Sequence, residues 1–107
     1  DVLEREPLLG ETLLRRASND GHAGATMALG ASILRGEVQS QRPDEGRELL
    51  EAAASQGSAN AMSALGFAYH LGRGLPANEA HSLEWLQKAA DAGSQKAKAF
   101  LERRQGV

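Results

Sequence analysis

The sequence predicts an all-α fold, a short solenoid of stacked helix pairs, on three observations. The chain repeats itself at a spacing of 36 residues, apolar side chains recur at three and four within each repeat, and glycine-rich turns fall at fixed places between the apolar segments.

Sliding the chain by 36 places Gly21 on Gly57 and Gly93, Ala25 on Ala61 and Ala97, and Leu29 on Leu65 and Leu101. About eleven positions of 21–56 are identical in 57–92. The identities fall on Gly, Ala and Leu, the residues of turns and closely packed helices. One domain of 107 residues follows: a half repeat over 1–20, repeats over 21–56 and 57–92, and a half repeat over 93–107.

The elements follow in order. Residues 7–18 form an orphan second helix, with 1–6 as the remnant of a preceding loop or helix. Residues 23–35 form a first helix, 36–42 a loop, and 43–56 a second helix with Pro43 at its first position, where a missing N–H costs nothing. The next first helix runs over 58–71, capped by Ser58, with Ala61, Ala64, Leu65, Ala68 and Tyr69 as its apolar stripe. Gly72, Gly74, Pro76 and Asn78 then break the helix and reverse the chain. A second helix over 79–92 places Leu83, Leu86, Ala89 and Ala90 around Trp85 and stops at Gly93, and 94–104 forms an orphan first helix.

Residues 61–93 carry Ala61-x-x-x-Leu65-Gly66-x-x-Tyr69-x-x-Gly72-x-Gly74-Leu75, then Trp85-x-x-Lys88-Ala89-Ala90-x-x-Gly93. This pattern resembles the Sel1-like repeat, a relative of the tetratricopeptide repeat, whose own period is about 34 residues. Residues 25–57 are a weaker copy that keeps Leu29-Gly30, Gly36 and Ala53-Ala54 but has Ile33, Val38 and Leu49 where the later unit has Tyr69, Gly74 and Trp85. The resemblance covers nearly all of the chain after Pro7. It implies a right-handed α-solenoid of antiparallel helix pairs, two full repeats with a half repeat at each end, used as a scaffold or adaptor. It implies no catalytic residues.

Composition narrows the partners. A net charge of -2 and a pI near 5.9 offer no positive excess for phosphates or an anionic bilayer, so no nucleic acid or membrane partner is expected. No apolar run approaches the roughly 20 residues of a spanning helix. Without cysteine there is no disulfide framework, thiolate nucleophile or thiolate metal site. His22, His70 and His81 lie in different elements with no helical pair to bind zinc, no serine sits in a Gly-x-Ser-x-Gly elbow, and Gly72-Arg73-Gly74 lacks the Lys-Ser/Thr of a phosphate loop. No enzyme activity, cofactor or metal is expected. Trp85 and Tyr69 are expected as packing anchors, and Gly30 and Gly66, mid-helix, as points where a neighbouring helix comes close.

Projected at about 100° per residue, Ser63, Phe67 and His70 lie opposite the stripe, which makes Phe67 solvent-facing. The equivalent positions are Met27, Ala31 and Leu34 in the earlier repeat, and Ala99 and Arg103 in the last helix. Met27, Ala31, Leu34, Ser63, Phe67, His70 and Arg103 are therefore the candidate protein-binding residues, on the face that the resemblance makes concave. Apolar side chains stand there where a merely soluble helix would carry Glu or Lys. The alternative is that Phe67 and Leu34 are buried between repeats.

The end helices leave Leu8, Leu9, Leu13 and Leu14, and Phe100 and Leu101, without a further neighbour. The chain thus reads as a piece of a longer array, with end-to-end self-association through Leu8, Leu9, Leu13 and Phe100 as the other way to cover them. The leading reading is a bacterial scaffold or adaptor of the cell envelope, periplasm or cytoplasm. The alternative is an immunity or inhibitor protein that blocks a toxic or regulatory enzyme, and a third, an enzyme or peptidoglycan-binding module, has no residue in its favour.

Overall fold

The computed structural model describes residues 2–40, 42 and 44–105, with side chains described from Glu11 to Arg104. Six helices, all among these residues, follow one another: α1 (Val2–Asn19), α2 (Ala23–Leu34), α3 (Glu45–Ser55), α4 (Ala59–Leu71), α5 (Glu79–Asp91) and α6 (Gln95–Gln105).

The starts of the later helices follow from capping. Ser58 Oγ accepts from the Ala61 N–H at 3.1 Å, Asn78 Oδ1 from the His81 N–H at 3.1 Å, and Ser94 Oγ from the Ala97 N–H at 3.2 Å. Each satisfies a first-turn donor that has no partner inside its own helix. Two boundaries differ from the sequence expectation by more than one residue. α1 begins at Val2, because Glu4, Arg5 and Glu6 are helix formers that extend it beyond the apolar pattern. α3 begins at Glu45 after Asp44, so the chain enters it two residues later than expected, and Pro43 itself lies outside the described residues.

Small residues set how the pairs pack. A Cβ on Gly66 would lie 2.6 Å from both Cγ and Cδ2 of Leu86, so α4 and α5 meet at a distance only glycine permits. In the earlier repeat Gly30 faces Leu50 while Gly46 faces Leu34, and this crossed pairing makes α2 and α3 antiparallel. The sequence pointed to Gly30 and Gly66 but gave no sign of Gly46.

The repeats then stack. Each helix packs on its neighbour in sequence, and α2 also touches α4. Gly74, at φ +77°, brings the loop after α4 onto the end of α2, where an added Cβ would be 2.6 Å from the Leu34 carbonyl oxygen. Stacking in one direction gives extents of 53 × 24 × 23 Å. The architecture is an all-α repeat solenoid.

Burial concentrates on leucine and alanine. Leu34, Leu50, Ala53, Ala61, Leu65 and Leu75 form one cluster across the two repeats, and Leu86, Ala89, Ala90 and Ala97 a second toward α6. Leu29, Leu50, Leu65 and Leu86 are the large side chains enclosed completely. Trp85 and Tyr69 do not share that place. Both are half-buried and pack on the edge of the first cluster, Trp85 beneath the Lys88 ammonium (4.6 Å to the ring centre) and Tyr69 beside the His81 ring at 5.2 Å. Helices this close leave room for leucine between them and push the larger rings to the rim.

Polar contacts join α1 to α3. Arg15 donates to both carboxylate oxygens of Glu45, at 2.8 and 3.2 Å, and to Glu11 at 3.0 Å, while the Ser40 hydroxyl donates to Glu45 at 2.6 Å. These bonds hold the Glu45 carboxyl below the usual carboxylate range, the Arg15 bond being the largest cause. At the ends, Leu13 is 56 % exposed on α1. Phe100, expected to lack a neighbour, is covered by Phe67 and His70. The side chains of Leu8 and Leu9 lie outside the described residues.

Candidate protein-binding face

The first helices of successive units, α2, α4 and α6, form one side of the stack, and two adjoining grooves run along it. Their common wall follows from the residues at one register. Position 31 is alanine, position 67 phenylalanine and position 103 arginine. The small Ala31 leaves space beside the ring of Phe67, and a groove of about 140 Å³ opens between α2 and α4, lined by Ala31, Leu34, Ala64, Phe67, Ala68 and Leu71, with Arg35 and Arg73. A wider, more polar groove of about 500 Å³ lies between α4 and the start of α6, with Asn60, Ser63, Ala64, Phe67, Ser94 and Lys96 on its walls. Ala64 and Phe67 line both.

The far side of Phe67 is occupied. Its ring stands edge-on to Phe100, centres 5.5 Å apart and planes at 89°, and His70 meets the same ring at 4.9 Å. His70 Nδ1 lies 2.6 Å from Glu79 Oε1, and Arg104 donates to Glu79 Oε2 at 2.9 Å. The His70 bond, then the His70 and Arg104 charges, hold the Glu79 carboxyl below its ordinary range. Together these groups dock α6 on α4 and α5.

The sequence-predicted residues are therefore placed unequally. Ala31, Leu34 and Phe67 share the α2/α4 groove, and Ser63 joins Phe67 in the α4/α6 groove. Phe67 is half-buried, which corrects the expectation that it faces solvent. Leu34 is only 9 % exposed and belongs to the core between repeats. Ser63, 7 % exposed, sits with its Oγ 2.7 Å from that of Ser94. Met27 is half-buried against the first core cluster, His70 is taken up by Phe100 and Glu79, and Arg103 is exposed with its Nε donating to the Ala99 carbonyl at 3.4 Å. The cause is geometric. Projection about one helix counts only the partner in its own pair, whereas α4 has α2 on one side and Phe100 of α6 on the other.

Two side chains that the sequence did not single out complete the face. Leu71, 65 % exposed, stands one turn beyond Phe67 on the lip of the narrow groove, and Arg73 follows it. Their signal in the sequence is a leucine at the last helical position before a capping glycine, where the apolar stripe no longer calls for one. Among the described residues no group of three or more His, Cys, Asp or Glu is placed to hold a metal, and no helix is long and apolar enough to cross a membrane.

A Sel1 repeat family model matches residues 23–58 and 59–94. Among solved structures, a Sel1 repeat protein from Oxalobacter formigenes is similar at a TM-score of 0.69 and 34% identity, over 84% of this chain. The match takes in 26% of that protein, so this chain spans about a quarter of its length. Comparison with curated proteins gives no match.

Proposed function

This chain belongs to the Sel1 repeat family, whose members are generally non-catalytic protein-interaction modules, and we propose that it is a scaffold or adaptor holding a partner protein on the face of α2, α4 and α6. One observation carries the proposal. Ala64 and Phe67 are shared by two adjoining grooves, so one continuous path crosses successive repeats, apolar between α2 and α4 and more polar toward α6, and Leu71 extends its apolar part into solvent. Of the candidate residues, Ala31 and Phe67 offer direct contact, Ser63 and Leu34 shape the grooves, and Met27, His70 and Arg103 form the margins.

Affinity capture with mass spectrometry tests this, using the chain, its Leu71→Glu variant and a Gln87→Arg variant at an exposed position of α5. Leu71 is mostly exposed, so Leu71→Glu should leave the circular dichroism spectrum and melting unchanged while losing the partner. Gln87→Arg should retain it. A partner kept by Leu71→Glu, or one lost by Gln87→Arg, contradicts the assignment. Recovery of an enzyme that the chain inhibits would make it an inhibitor on the same face.

A further inference from the structure

We propose that the α2/α4 groove takes a single apolar side chain of a partner peptide, of leucine to phenylalanine size, whose neighbouring carboxylate pairs with Arg73. This rests on the assignment of the α2, α4 and α6 face to protein binding and adds the chemistry of the bound segment.

Size comes first. The groove holds about 140 Å³, close to the roughly 150 Å³ of an apolar cavity that accepts benzene. One aliphatic or phenyl side chain fills such a space, and an indole exceeds it. Ala31, Ala64, Phe67 and Ala68 offer that side chain no side-chain hydrogen-bonding group, so its gain is burial of apolar surface.

Charge selects what stands beside it. Among the described residues, the only charged side chains on the groove are Arg35 and Arg73, and no carboxylate lines it. Arg35 is engaged by Glu37 through bonds of 3.0 and 3.1 Å. Arg73 lines the groove and has no ion pair among the described residues, and its backbone N–H donates to the Ala68 carbonyl at 3.0 Å, which holds its main chain against the end of α4. Carbonyls at the ends of α2 and α4 would ordinarily repel an anion here. The Ala31 oxygen accepts from the Arg35 N–H, and the Ala68 oxygen from the N–H groups of Gly72 and Arg73. The complement is an apolar side chain next to a carboxylate.

Amide NMR titration of the chain with N-acetyl-L-phenylalanine and with its uncharged analogue N-acetyl-L-phenylalaninamide tests the proposal. Both should shift Ala31, Ala64, Ala68 and Arg73, with the carboxylate binding about threefold more tightly. Arg73→Gln should abolish that preference and leave the binding of the amide unchanged. Equal binding of the two compounds, a preference that survives Arg73→Gln, shifts confined to the α4/α6 groove, or no shifts at the solubility limit would each overturn it. Partner capture separates the two levels of assignment. A partner lost by Leu71→Glu but kept by Arg73→Gln overturns the carboxylate inference alone, and a partner indifferent to Leu71→Glu overturns both.

Discussion

The ring of Phe67 meets the ring of Phe100 edge-on at 5.5 Å, so the wall shared by the two grooves is also the point where α6 is docked. Binding face and terminal packing are therefore coupled through one side chain. Phe67→Ala should lower stability by about 2 kcal/mol, less than a fully enclosed aromatic, and Phe100→Ala by a similar amount. In a double-mutant cycle by urea unfolding the pair should show a coupling of about 1 kcal/mol. Additive effects would mean that the rings do not meet in solution.

Glycine substitutions should divide by environment. Gly66→Ala places a Cβ 2.6 Å from the fully buried Leu86 and should cost about 1–3 kcal/mol, outweighing the helix-propensity gain. Gly24 in α2 has nothing within 4 Å of an added Cβ, and Gly24→Ala should stabilise by about 0.5 kcal/mol. Urea midpoints moving in opposite directions check both.

Ser82 is fully buried and its Oγ has no hydrogen-bond partner among the described residues. Replacing it by alanine removes an unsatisfied hydroxyl and leaves little space, so Ser82→Ala should raise stability by about 1 kcal/mol. A lower melting temperature would show that the hydroxyl is satisfied in solution.

Acid should weaken the fold from a defined region. The Glu45 and Glu79 carboxyls titrate below their ordinary value of 4.5 in the folded chain. Their stabilisation is thus complete above that value and is lost as pH falls through the lower folded pKa values. Glu45, paired with Arg15 on two bonds, should contribute about 1 kcal/mol. Melting followed from pH 7 to pH 2 should show the fall below about pH 4.5, and a shallower one in Glu45→Gln. A Glu45→Gln profile parallel to that of the parent would contradict this.

Local features were legible in the sequence because local residues cause them. Ser58 caps where expected, Asn78 ends the expected reversing loop, Gly72 and Gly74 take positive φ within it, and Gly66 admits its neighbour. Features that depend on stacking were not legible. Phe67 looks solvent-facing until Phe100, 33 residues later, covers its far side, and Ser63 looks polar and exposed until Ser94 meets it. Trp85 drew attention as the largest ring of the motif, yet the enclosed positions belong to leucines. Gly46 sits outside the repeated motif, and only the proximity of Leu34 explains it. Arg73 reads as a loop residue until α2 and α4 stack and leave it on the lining of the groove between them.

The central claim is that a partner covers the face of α2, α4 and α6. Amide hydrogen exchange of the chain, free and bound to the captured partner, tests it most directly. The account predicts added protection over the end of α2, around residues 31–35, and across α4, with α3 and α5 unchanged. Protection confined to α1, α3 and α5 would contradict it.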